Sequence, residues 1–124
     1  YKPEIRNTID IDDSIWRAIH AGMRTVVEKK TYYSDLAVNV AGKTGTAQNP
    51  RGADNSVFIC FAPKENPKIA VAAYIENGGF GATWACPIAS LLVEKYLNGT
   101  IDEKRKPLEQ RVLDGNLMSR VRTY

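Results

Sequence analysis

The six residues Pro63-Lys64-Glu65-Asn66-Pro67-Lys68 constrain this chain most, because they form a polar, twice-prolinated loop between two runs that read as strands. Val57 to Ala62 and Ile69 to Glu76 are rich in β-branched and aromatic residues, so the spacing predicts an antiparallel hairpin. A third strand is expected at Ala37 to Thr46, and helical segments lie on either side of the three. The expected fold is therefore α/β of the α+β type, an antiparallel sheet of about three strands flanked by helices. At 124 residues and 44% hydrophobic content, the chain can build one core in one domain.

The first helix is signalled by Asp12-Asp13-Ser14, which supplies N-cap candidates and negative charge at a helix start. Ile15, Trp16, Ile19, Met23, Val26 and Val27 then recur close to the amphipathic period, ending near Lys29-Lys30, and predict a core-packing helix. His20 lies beside that stripe and reads as a packed or surface residue. Thr31 to Asp35 reads as a turn-like connection. The second helix starts around Thr83 to Pro87, presents Ile88, Leu91, Leu92, Val93 and Tyr96, and stops at Asn98-Gly99. Between the last strand and this helix, Glu76-Asn77-Gly78-Gly79-Phe80-Gly81 reads as a glycine-rich turn and lacks the G-x-G-x-x-G spacing of a dinucleotide site.

The chemistry is concentrated in Ala41-Gly42-Lys43-Thr44-Gly45-Thr46-Ala47-Gln48. After Val38-Asn39-Val40, its lysine and hydroxyls fall at the end of a strand, where a glycine lets another backbone approach closely. Such an edge can grip a peptide. A P-loop reading fails, because position 37, where that motif needs its first glycine, is Ala37, and Thr46 onward runs into a polar turn rather than a helix. Lys-Thr-Gly is one of three signatures of the penicillin-binding proteins and class A β-lactamases; the others are S-x-x-K, which holds the nucleophile, and an S-x-N type element. Neither of those is present. The residues three places after Ser14, Ser34, Ser56, Ser90 and Ser119 are Arg17, Ala37, Ile59, Val93 and Arg122, and no serine has asparagine two places on.

Other functions are disfavoured by composition. A net charge of +3, spread along the chain, offers no concentrated basic face for nucleic acid. Lys104-Arg105-Lys106 follows Asp102 and Glu103 and reads as part of a solvated, charge-balanced tail. Cys60 and Cys86 are far apart, without C-x-x-C spacing, and with a single histidine they suggest core residues rather than metal ligands; a disulfide between them stays open. No motif asks for a cofactor. No stretch approaches the roughly 18 uninterrupted apolar residues of a membrane span, so the chain itself is expected to be soluble.

In motif and order, the chain resembles the C-terminal part of the transpeptidase domain of class B penicillin-binding proteins, nearest the penicillin-binding protein 2 type. The likeness rests on Gly22-Met23-Arg24, Val26-Val27, Ala41 to Gln48, Phe58-Ile59-Cys60-Phe61-Ala62-Pro63, and Val71 to Gly79. It spans roughly residues 13 to 99. Relatives often carry a histidine and a tryptophan where this chain has Asn55 and Val57, and a glycine at the place of Cys60. The F-A-P and E-N-G-G elements resemble transpeptidases more than β-lactamases.

The resemblance implies a penicillin-binding protein/serine β-lactamase-like fold and peptidoglycan cross-linking during cell elongation, by an enzyme anchored in the inner membrane with this domain in the periplasm. A serine there attacks the D-alanyl-D-alanine bond of a stem peptide, and β-lactams mimic that dipeptide. Carried onto this sequence, Lys43 supplies positive charge beside the active serines and near the substrate carboxylate, while Thr44 and Thr46 hydroxyls bind that carboxylate. The Thr46 backbone N–H serves as one of two oxyanion-hole donors, and Gly45 leaves room for the ligand. The implied partners are an elongation-type glycosyltransferase and the remaining N-terminal part of the transpeptidase domain.

The expected organisation is an extended lead over 1–12, the transpeptidase portion over 13–99 and a charged tail over 100–124, partly helical or disordered. The chain opens at Tyr1-Lys2-Pro3-Glu4 and reads as an excised portion, inactive alone, whose uncovered apolar surface promotes self-association. The alternative is a non-catalytic peptide-binding or interaction module that uses the same sheet edge.

Overall fold

The computed structural model describes residues 2, 4–29, 31–34, 36 and 38–118. Helix α1 (Asp13–Glu28) opens where expected, with Asp12 Oδ1 accepting from the Ser14 amide at 2.7 Å. Hydrogen bonding from Ser14, by its hydroxyl first and then its amide, holds the Asp12 carboxyl below its ordinary pKa. A one-turn helix, α2 (Thr31–Ser34), stands where the sequence reads as a turn-like connection. Three strands follow, β1 (Ala41–Ala47), β2 (Asn55–Ala62) and β3 (Ile69–Ile75), then α3 (Ala85–Asn98), a 3-10 turn (Glu103–Arg105) and α4 (Lys106–Leu113).

The sheet has the order β1-β2-β3 and is antiparallel throughout, so the hairpin expected across Pro63–Lys68 is present. Its first strand is shorter than the sequence suggests: residues 38–40 lie outside it, and Ala37, the expected start, falls outside the described residues. The Asn39 carbonyl instead accepts from the Lys64 amide at 2.8 Å, which ties the approach of β1 to the β2–β3 loop. Arg24 of α1 reaches the Val40 carbonyl at 3.3 Å and pairs with Glu28 at 2.9 Å, fixing the same approach from the helix side.

Side chains alternate across the sheet. Phe58, Cys60 and Ala62 of β2 are buried with Ala73 of β3 and with Ala85, Cys86, Ala89 and Val93 of α3, and the partly buried Val71 and Ile75 of β3 pack against them. Tyr33 of α2 closes this core, its ring 5.8 Å from that of Phe58 and its hydroxyl donating to the Cys86 carbonyl at 3.3 Å. Both cysteines are buried in this core, with no disulfide between them. The opposite sheet face carries Ile59, 48% exposed, and Tyr74, 56% exposed.

The expectation that α1 packs into the core along its length is corrected. Val27 is its one buried residue, whereas Ile15, Trp16 and Ile19 are 50%, 37% and 44% exposed. Its middle touches the sheet through His20, whose ring lies 4.9 Å from Phe61 and 5.9 Å from Trp16. Helix α3 ends as predicted, with Gly99 in the left-handed conformation at φ 77° and its amide bonded to the Lys95 carbonyl.

The reading of Lys104-Arg105-Lys106 as a solvated run is also corrected at its middle residue. Arg105 is buried, donating to Glu94 at 2.7 Å, the Tyr32 carbonyl at 2.6 Å and Ser90 Oγ at 2.8 Å. Three hydrogen-bonding partners around one guanidinium offset its loss of hydration. Residues 106–113 are helical rather than disordered, while 119–124 lie outside the described residues.

Candidate functional site

Strand β1 is an edge strand, paired to β2 alone among the described residues. Its polar end forms one wall of an open groove of about 440 Å³, lined by Thr44, Gly45 and Thr46 and, from the segment before α3, by Phe80, Gly81, Ala82 and Thr83. Thr44 is half-buried and Thr46 exposed. Lys43 lies outside this lining, exposed on the strand, and its ammonium donates to the Thr44 carbonyl at 2.7 Å. Thus three of the four residues singled out in the sequence line one groove and the fourth adjoins it.

The facing wall is the part that sequence reasoning missed. Glu76 to Gly81 reads as a turn, and the structure lays its end across β1. The signal was the glycine cluster. A Cβ at Gly81 would collide with the carbonyl oxygens of Val57 and Gly45, so only glycine lets the two backbones pass this closely. The close approach rests on Gly81: a Cβ at Gly45 would meet only the Val57 side chain, at 3.4 Å.

Hydrogen bonds hold this wall at several points. Ser56 Oγ donates to the Phe80 carbonyl at 2.9 Å and accepts from the Ala85 amide at 3.1 Å, spanning the segment from end to end. The Gly79 amide donates to the Asp54 carbonyl at 2.6 Å, and the Cys86 amide to the Gly81 carbonyl at 2.9 Å. Asn77, at φ 56°, accepts from Asn49 Nδ2 at 3.1 Å while its amide donates to Asn55 Oδ1 at 3.0 Å. Asn55 therefore anchors the turn from the start of β2.

Chemically, the groove presents hydroxyls and backbone groups to an extended ligand, with one ammonium at its margin. It suits recognition of a peptide with an anionic end, because hydrogen bonds to a carboxylate are the stronger, charge-assisted kind. No serine in the sequence has a lysine three places on.

An edge-strand groove on a small antiparallel sheet backed by helices places the fold in the α+β class. The chain belongs to the penicillin binding protein transpeptidase domain family, which residues 1–94 match. Peptidoglycan D,D-transpeptidase MrdA of Haemophilus influenzae is 32% identical over 119 residues, an alignment that covers 77% of this chain and 18% of that protein. Among solved structures, penicillin-binding protein 2 of Pseudomonas aeruginosa in complex with WCK 5153 is 34% identical, with a TM-score of 0.69 over 83% of this chain and 24% of that one. The ceftriaxone acyl-enzyme complex of penicillin-binding protein A from Mycobacterium tuberculosis is 29% identical, with a TM-score of 0.64 over 70% of this chain and 22% of that one. The chain thus spans less than a fifth of the length of the curated relatives, 18% of MrdA and 14% of the mycobacterial transpeptidase PbpA. It covers part of the domain.

Proposed function

We propose that this chain is the substrate-gripping portion of a serine-type peptidoglycan D,D-transpeptidase that cross-links stem peptides, with the nucleophile supplied by protein outside these residues. The observation that carries this reading is the groove itself, with Thr44, Gly45 and Thr46 of an edge strand facing the Gly81 segment. In that reading Thr44 and Thr46 hydroxyls take the terminal carboxylate of a D-alanyl-D-alanine peptide or of a β-lactam. Lys43 turns from the Thr44 carbonyl toward the active serines and adds positive charge there. The Thr46 backbone N–H is one oxyanion-hole donor, and losing one such donor costs about 100- to 1,000-fold in rate.

The family assignment supports further proposals. Residues 13–99 are the working portion, preceded by a lead over 1–12 and followed by the segment from 100. Among the described residues no helix is long and apolar enough to cross a membrane; the whole enzyme is anchored in the bacterial inner membrane by other residues, with this domain in the periplasm. It works with an elongation-type glycosyltransferase, and this chain alone is inactive and self-associates.

Covalent labelling with a fluorescent penicillin, read after denaturing electrophoresis, tests the reading on this chain and on a form extended upstream. Labelling of the longer form alone is the expected result. Labelling of the 124-residue chain would place a nucleophile within it, and labelling of neither would favour a peptide-binding module that does no chemistry.

A further inference from the structure

The groove wall opposite β1 is held at its near end by Ser56 of β2 on the Phe80 carbonyl and by the Asp54 carbonyl, just before β2, on the Gly79 amide. Its far end, Thr83-Trp84, is held by α4. Arg111 Nη2 donates to the Thr83 carbonyl at 2.9 Å, and the same guanidinium lies over the Trp84 ring, 5.1 Å from its centroid. A second nitrogen of Arg111 reaches the Tyr32 hydroxyl at 3.5 Å. Just beyond α4, Gly115 sits so close to the Trp84 ring edge that a Cβ there would come within 2.6 Å of it. Among the described residues the buried indole N–H of Trp84 has no acceptor, and the Arg111 guanidinium covers the ring.

Attaching α4 to the body does not require Arg111. Arg105, at the start of the helix, already makes a buried ion pair with Glu94 and further bonds to Ser90 and Tyr32. What Arg111 adds is a direct grip on the segment lining the groove. Thr83 is itself a lining residue, and its amide donates to the Phe80 carbonyl at 2.8 Å, so a pull on its carbonyl is felt one turn back at the groove mouth. Helix α4 also lies beyond residues 1–94, the part that matches the transpeptidase domain.

We propose that Arg111 is a positioning residue for ligand binding: by fixing the Thr83 carbonyl and the plane of Trp84 it sets the separation of the Phe80–Thr83 wall from Thr44–Thr46. The inference rests on the transpeptidase reading above. In it, the segment after residue 100 tunes the substrate groove from outside.

The test uses the full-length protein with Arg111→Ala and Arg111→Lys, and two readouts. Hydrogen exchange of the peptide covering 79–84 is expected to speed up about tenfold in the alanine variant, the scale of one charge-assisted hydrogen bond and a stacked cation. The β1–β2 ladder should be unchanged, and lysine should restore part of the protection. Saturation kinetics of penicillin acylation should show the apparent Kd raised about tenfold in the alanine variant with the limiting rate within twofold. Unchanged exchange at 79–84, or faster exchange with unaltered penicillin Kd, would overturn the proposal. Failure of the unsubstituted full-length protein to acylate would instead remove the transpeptidase reading beneath it, and that control separates the two failures.

Discussion

Arg105 Nε lies 2.7 Å from Glu94 Oε2, with the two side chains only 3% and 2% exposed. Glu94 uses its other oxygen to accept from the Asp102 amide at 3.0 Å, so the carboxylate fixes both the arginine and the chain leaving α3. Removing one partner of such a pair leaves an uncompensated buried charge, and the expected cost of Arg105→Leu is about 3–5 kcal/mol. Replacing both, Glu94→Leu with Arg105→Leu, should cost less than the single change. Urea unfolding of the unsubstituted protein and the two variants measures this; a double variant less stable than Arg105→Leu would show that packing around the pair, not its charge, holds the segment.

The two glycines that face each other across the groove should respond differently to alanine. At Gly81 a Cβ meets backbone oxygens of Val57 and Gly45, which cannot move aside without disturbing β1–β2 pairing, so Gly81→Ala should destabilise the fold by about 1–3 kcal/mol. At Gly45 the nearest atom to a new Cβ is Val57 Cβ at 3.4 Å, an ordinary contact. Gly45→Ala should therefore keep thermal stability within about 1 kcal/mol, yet crowd the ligand and lower the penicillin acylation efficiency of the full-length protein about tenfold or more. Melting curves and acylation kinetics on the pair separate a folding effect from a binding one.

Much of this fold was legible in the sequence because its signals are local. Proline and polar residues at 63–68 announce a hairpin, Asp12 with Ser14 announces a helix start, and Gly99 announces an end. What stayed hidden depends on partners distant in sequence. Arg105 reads as a surface charge until Glu94, Ser90 and Tyr32 are brought around it. The apolar stripe of α1 fits a core helix, but a sheet of three strands covers little of its first half, leaving Ile15 and Ile19 in solvent. Similarly, Lys43 to Thr46 could be picked out by motif, whereas the Phe80–Thr83 wall became visible only when Gly81 was placed against Gly45.

Cys60 makes a pH prediction. Burial pushes its thiol up to about 11, against an ordinary value near 9, and burial raises the Tyr33 phenol well above its usual range as well. Each group is an acid whose proton is held more tightly in the folded state. Their contribution is thus fully present below the unfolded pKa and is lost as pH rises toward the folded one. For Cys60 the window runs from about pH 9 to about pH 11. Stability measured by urea unfolding should fall across that window, and Cys60→Ala should flatten the slope. At pH 8, a maleimide should label the thiol only as fast as the protein opens, because the buried neutral form is unreactive.

The exposed sheet face makes the last prediction. Ile59 and Tyr74 stand on the side away from α3, about half exposed, and α1 offers Ile15, Trp16 and Ile19 to solvent. Both outer strands, β1 and β3, pair on one side only among the described residues. Apolar surface beside open strand edges favours association through further burial and added backbone hydrogen bonds. The isolated chain should therefore show a sedimentation coefficient that rises with concentration in the micromolar range. Ile59→Lys with Tyr74→Lys should return it toward the monomer value without unfolding it, because both positions already face solvent. A monomer at all concentrations in the unsubstituted chain would mean that α1 and the strand edges are shielded in solution; association that persists in the double variant would shift the contact to α1, where Trp16→Lys would be the next change to make.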